Sequence, residues 1–175
     1  MNVTVETAAP DTLPIVKNMF TAYFYAMSQY DDGLIINASG LPHWAAFGLP
    51  GPTTHEECVA MNWWIRDRCE ALIIRVDGVP AGFAFICAEK SHIPPEIDFE
   101  LLDFYIVPKY RRQGVGKQAA QRIFDGRRGK WQLFELEQNL PALAFWHGFL
   151  KEYTGDAYEN LDGGAQQRFD NRLSP

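Results

Sequence analysis

The chain has 175 residues, enough for one domain with a sizeable core, and we expect a single domain over residues 1–175. Its net charge of −6 argues against general nucleic-acid binding, and no apolar run approaches the length needed to cross a membrane, so neither class of partner is expected. Cys58, Cys69 and Cys87 are odd in number and lack C-x-x-C spacing. The start, M-N-V-T-V-E-T, has no charged segment followed by an apolar core. We read free thiols, no signal peptide and a cytoplasmic, reducing location.

Asn2 to Thr7 alternates Val3 and Val5 with polar residues and predicts a short first strand. Asp11 or Thr12 then caps a helix in which Leu13, Val16, Phe20, Tyr23 and Met27 fall at helical spacing. Core packing accounts for that stripe, while Tyr25 and Tyr30 are placed to line a cleft. Asp31 to Pro52 is rich in turn signals, Asp32-Gly33, Ser39-Gly40 and Pro50-Gly51-Pro52 among them, and reads as one long loop. A second helix starts at Thr53 or Thr54 and runs to about Arg68, with Thr54 and Glu57 spaced as a capping box. Trp63 and Trp64 are core or cleft wall.

A strand from Ala71 to Val76, the turn Asp77-Gly78 and a strand from Val79 to Ala88 predict a hairpin. After a loop from Glu89 to Pro95, a third strand of this meander covers about Asp98 to Val107. The fifth strand is Trp131 to Glu137. Asn139 precedes Leu140-Pro141, a plausible helix start because proline tolerates the first turn. The helix after it carries Leu143, Phe145, Trp146, Phe149 and Leu150. Two short candidate strands close the chain, Ala157 to Leu161 and Gln166 to Arg172. The order implies a mixed α/β sheet.

Chemistry concentrates between the third meander strand and the helix that follows it. Arg111-Arg112-Gln113-Gly114-Val115-Gly116-Lys117 links the two, and the helix shows an apolar or small face at Val115, Ala119, Ala120, Ile123 and Phe124. A glycine turn leading into a helix is an anion cradle. Glycine lets a ligand reach the backbone, and the first N–H groups of the helix have no partner inside it. Eight of the sixteen Lys and Arg lie between Lys109 and Lys130. A solvated face is the ordinary reading of such a run; around this turn, anion binding is the better one. A nucleotide-hydrolase P-loop is excluded, since Gly116-Lys117 is followed by Gln118 rather than by Ser or Thr.

Ile106-x-Pro108-x-Tyr110-Arg111-Arg112-Gln113-Gly114-Val115-Gly116 resembles the acetyl-CoA-binding motif of the GCN5-related N-acetyltransferases, in which Gln or Arg is followed by x-x-Gly-x and then Gly or Ala. The order of elements is similar to that family's along most of the chain. The resemblance implies a fold whose fourth and fifth strands splay apart, with acetyl-CoA as co-substrate and no metal. It implies that Arg111, Arg112, Gln113, Gly114, Val115, Gly116 and Lys117 hold the pyrophosphate, largely by backbone. The pantetheine would pair with the backbone of Phe104, Tyr105, Ile106 and Val107, flanked by Asn139 and its helix. The acceptor would be a small-molecule amine, an amino acid or a peptide. The Asp31–Pro52 region would contribute His43, Trp44 and Phe47 to its site, although a surface loop pinned by these aromatics explains them equally. Dimers are frequent in the family, and the many aromatics permit one here.

Amine acetylation requires removal of a proton from the acceptor and stabilisation of the departing thiolate. Glu100 and Asp103 are the two acids on the strand before the glycine turn. Their odd separation puts them on opposite faces of a regular strand, so one would face the cleft unless a bulge intervenes. Where many relatives carry a tyrosine, seven residues after Asn139, this chain has Trp146, whose indole is no acid at neutral pH. His147 or Tyr153 would have to substitute, or the thiolate leaves unaided. Two other readings stay open: a non-catalytic acyl-CoA-binding module of the same fold, and a nucleotide-binding regulator using the glycine turn.

Overall fold

In the computed structural model, which describes residues 1–45, 50–63 and 65–172, a seven-stranded sheet runs through the molecule. The elements in chain order are β1 (Val3–Thr7), α1 (Leu13–Met27), β2 (Leu34–Ile36), β3 (Pro42–Trp44), α2 (His55–Asn62), β4 (Glu70–Val76), β5 (Val79–Cys87), β6 (Phe99–Ile106), α3 (Val115–Asp125), β7 (Lys130–Phe134), α4 (Leu140–Thr154), β8 (Tyr158–Leu161) and β9 (Gln166–Asp170). The sheet order is β1-β4-β5-β6-β7-β9-β8. Its one parallel pair, β6 with β7, is joined across α3; the other five pairs are antiparallel. The predicted mixed α/β class is the observed one.

Strand alternation sends side chains to two cores. Ile73, Phe83, Phe85 and Tyr105 pack under α1 and α2 with Val16, Phe20, Phe24 and Val59. Leu72, Ala84, Ile86, Leu101 and Leu133 pack on the other face under α3 and α4, with Ala120, Ile123, Phe124, Trp146, Phe149 and Leu150. The apolar face read for α3 is therefore buried, as its period requires. Gly82 in β5 permits the tightest approach in the sheet, because a Cβ there would lie 2.1 Å from the Tyr105 carbonyl oxygen.

Three expectations need correction. The long loop contains a hairpin, β2 paired antiparallel with β3. Asn37 organises its turn by accepting from Ser39 N–H at 2.9 Å and Leu41 N–H at 3.0 Å. The second helix is shorter than predicted. Thr54 does cap it, accepting from Glu57 N–H at 3.2 Å, but α2 ends at Asn62, and a separate 3₁₀ turn covers Arg66–Arg68. Trp64 and Phe47 lie outside the described residues. Finally, the cysteines are not all free: Cys69 and Cys87 form a disulfide, and Cys58 is a buried thiol. The β4–β5 register pairs Glu70 with Ile86, which sets Cys69 against Cys87 with Cα atoms 4.4 Å apart. The thiol argument for a reducing location does not hold for this pair.

Candidate active site

β6 and β7 pair only at Phe99–Trp131, Glu100–Gln132 and Leu101–Leu133, then diverge. Beyond Leu101 the strands leave a V-shaped gap, and a cavity of about 460 Å³ opens there. Val107 N–H donates to Ala81 O, so Val107 and Tyr105 turn their amides to β5, and alternation turns those of Phe104 and Ile106 to the gap. Of the four residues expected to present backbone there, these two face it. Arg111 Nε donates to Ile106 O at 2.7 Å and already engages that carbonyl, leaving Phe104 as the main free edge.

The glycine turn lies at the mouth of the gap. Arg112 and Gly114 both take left-handed backbone, with φ of 59° and 78°, and Gly114 is the N-cap of α3. The turn thus aims the first N–H groups of α3, from Val115 to Lys117, at open space, where the helix dipole adds positive potential. Gly116 has a second role. A Cβ there would lie 3.4 Å from the Phe145 ring, so glycine lets α3 close on α4. Gln113 Nε2 donates to Lys109 O and ties the turn down, Arg112 is exposed, and Lys117 is ion-paired with Glu152 of α4. These groups fit a pyrophosphate: backbone donors at the centre and flexible cations at the rim.

Asn139 caps α4, its side chain accepting from Ala142 N–H at 3.2 Å, and lines the cavity. Trp146 lines it too, but as packing: it is 5% exposed, with its ring 5.1 Å from Phe104 and 4.8 Å from Phe145. His147 and Tyr153, the two candidates to replace a tyrosine acid, are engaged elsewhere. His147 Nε2 lies 2.9 Å from Gly164 O, and the Tyr153 hydroxyl donates to Asp125 Oδ1 at 3.0 Å.

The two strand acids are brought to one face. The β5–β6 register pairs Phe85 with Asp103 and Ile86 with Leu101, so Leu102 is the extra residue of a bulge. One inserted residue reverses the alternation and puts Glu100 and Asp103 on the α1 side together. They differ in state. Both oxygens of Asp103 are engaged, by Arg66 Nε at 2.7 Å, Arg66 Nη2 at 3.0 Å and the Tyr23 hydroxyl at 2.8 Å. Tyr23 is held well above the ordinary phenol range by burial first and then by the Asp103 charge. Arg66 also donates to Asn62 O and lies 4.8 Å over the Phe20 ring. Asp103 lines the cavity as a fixed charge. Glu100 lies deeper along β6, accepts from Gln132 Nε2, and is pushed up by burial, with Asp103 adding to the shift.

Tyr23, Phe24, Met27, Leu34 and Trp44 complete the α1 side of the cavity. Tyr25 and Tyr30 do not line it, and His43 is buried in the β2–β3 hairpin. Two charged residues of this cavity escaped the sequence reading, Arg66, which clamps Asp103, and Glu135. Glu135, just past β7, lines the cavity with both carboxyl oxygens closed to solvent and without a hydrogen-bond partner. Glu135 falls inside the strand predicted from Trp131 to Glu137, where no sequence signal marks it; only the divergence of β7 from β6 shows what it faces. Among the described residues no group of His, Cys, Asp and Glu could hold a metal ion, and no helix is long and apolar enough to cross a membrane.

The glycine turn at the mouth of a splayed parallel pair, with the cavity behind it, is the architecture of an acyl-CoA-dependent acyltransferase. Residues 41–149 match the profile of the Acetyltransferase (GNAT) family, and the chain belongs to that family. Solved structures agree on the fold. An acetyltransferase from Thermus thermophilus is 18% identical with a TM-score of 0.57, covering 97% of this chain and 96% of its own. PaiA N-acetyltransferase from Thermoplasma acidophilum, solved with coenzyme A, is 16% identical with a TM-score of 0.53, covering 97% and 99%. YncA from Salmonella typhimurium, solved with acetyl-CoA as its cofactor, is 15% identical with a TM-score of 0.51, covering 98% and 95%. No curated protein matches the chain in sequence.

Proposed function

We propose that the protein transfers the acetyl group of acetyl-CoA to a primary amine by direct attack. The observation that carries this reading is the gap between β6 and β7, with the unpaired N–H groups of α3 at one end and a largely apolar cavity on the other. Acetyl-CoA supplies a thioester activated toward nitrogen. The α3 turn holds its phosphates, Phe104 offers free strand edge to the pantetheine, and Asn139 with α4 flanks the thiol end. The amine enters from the α1 side, between Tyr23, Phe24, Met27, Leu34 and Trp44, which suits an amine carrying an apolar group.

Glu100 is the better proton acceptor of the two strand acids. Burial makes its carboxylate more basic, and it lies on the acceptor face; because it stands back from the cavity, a water relays the proton. Asp103, its charge matched by Arg66 and its oxygens held by Arg66 and Tyr23, fixes the wall. The test is thiol release from acetyl-CoA in the presence of a panel of amines, with apolar-tailed amines expected to be used best. Saturable acetyl-CoA binding without thiol release with any amine would overturn catalysis and leave the binding-module reading, which Trp146 in the usual tyrosine place favours.

A further inference from the structure

Trp146, His147 and Tyr153 leave the departing sulfur without an acid, yet the cavity wall carries a second carboxyl, Glu135, that no charged side chain clamps. We propose that Glu135 is the proton donor to the coenzyme A sulfur. This inference rests on the acetyltransferase reading and adds a catalytic residue to it.

Geometry points to Glu135 first. Trp131 and Leu133 of β7 pack under α4, so alternation carries Glu135 to the α4 side of the gap, where the thiol end is expected, and away from the acceptor. It is four residues before Asn139 and shares the cavity with Asn139, Ala142 and Trp146. Its backbone is anchored, with Glu135 N–H donating to Ala165 O at 2.9 Å. Its surroundings want the neutral acid. Gln167 is the neighbouring polar side chain, but its amide is turned to Gly164 O, and Gln167 Oε1 is itself a buried acceptor without a donor. No donor satisfies either Glu135 oxygen, and a neutral carboxylic acid costs less to bury in that state than a carboxylate. Burial pushes Glu135 up to about 8, with Gln167 offsetting only part. The other titratable groups nearby are His147, 3.3 Å from Gln167 Nε2 on α4, and the Tyr23–Asp103–Arg66 cluster across the cavity. None of them contributes to that shift.

The step balances. The amine nitrogen forms a bond to the acetyl carbon, and the carbon–sulfur bond breaks with its electron pair moving to sulfur. Sulfur takes the Glu135 proton and leaves as the thiol. The ammonium proton leaves on the α1 side through Glu100, and Glu135 regains its proton from cavity water, reached by rotation of its side chain as coenzyme A departs.

Infrared difference spectroscopy at neutral pH tests this without turnover. The wild-type protein is expected to show the carbonyl stretch of a neutral carboxyl, lost in Glu135→Gln and in Glu135→Leu. Coenzyme A should shift that band, and desulfo-coenzyme A, which lacks the sulfur, should not. With the best amine of the panel, Glu135→Gln should lower kcat on the order of 10²-fold and remove the fall of kcat at alkaline pH, with acetyl-CoA affinity within about threefold. Bound coenzyme A that leaves the band unmoved, or an unchanged kcat profile in Glu135→Gln, would overturn the proposal alone. Failure of coenzyme A to bind at all would overturn the acetyltransferase reading beneath it.

Discussion

At the scale of single residues, two buried carboxyl groups lining the same cavity are treated in opposite ways. Asp103 keeps its charge by a bidentate arginine and a phenol, in side chains 3% and 10% exposed for Asp103 and Arg66. Arg66→Met would strand that charge, and we expect a loss of about 3–5 kcal/mol in urea unfolding at pH 7. Asp103→Asn combined with Arg66→Met should recover much of it. Glu135 has no charged partner, and burial pushes its carboxyl up instead. Its folded-state value of about 8 lies above the ordinary carboxyl value of 4.5, so the folded protein keeps a proton that the unfolded chain has released. The stability this provides is complete below the unfolded value and is lost as pH rises from about 4.5 through about 8. Glu135→Leu should flatten that decline and gain on the order of a few kcal/mol at about pH 9, read from denaturation midpoints across the range.

At the scale of elements, the glycine turn and α3 were legible because they depend on local chemistry: a strand ending in proline, left-handed positions, then a helical period. Gly114→Ala keeps the space, since only Gln118 Nε2 comes as near as 4.0 Å to a Cβ there, but not the backbone, because φ is 78°. We expect about 1–2 kcal/mol of destabilisation and a weaker acetyl-CoA affinity, measured by titration. The disulfide was not legible in the same way. Cys69 and Cys87 lie 18 residues apart, and only the hairpin centred on Asp77-Gly78, with a register shift between Ile74 and Arg75, sets them opposite one another. Counting out from that turn sets Cys69 against Ile86, one residue short of Cys87, and the register shift supplies the difference. Reduction should release two thiols and lower stability by about 3 kcal/mol, seen as a fall in Tm. The 3₁₀ turn carrying Arg66 ends next to Cys69, so the Asp103 clamp should loosen with it. The β2–β3 hairpin was hidden for a similar reason, its strands being three residues each and flanked by turn signals on both sides.

At the scale of the whole molecule, function follows from where the sheet fails to close. Six strand pairs build the sheet, and one of them, β6 with β7, lasts only three residues before the cavity begins. The bulge at Leu102 belongs to the same device, bringing Glu100 and Asp103 to the α1 face while Leu101 stays in the α3–α4 core. A sequence reader can name a strand but not the length over which it pairs. The cofactor turn was therefore readable, while the ranking of Glu100, Asp103 and Glu135 required the divergence itself. The most direct test of the account is calorimetric titration of the folded protein with acetyl-CoA, with ATP as the control. Saturable heat at one site for acetyl-CoA, and none for ATP, is the predicted result; no heat from acetyl-CoA, or equal binding of ATP, would contradict it.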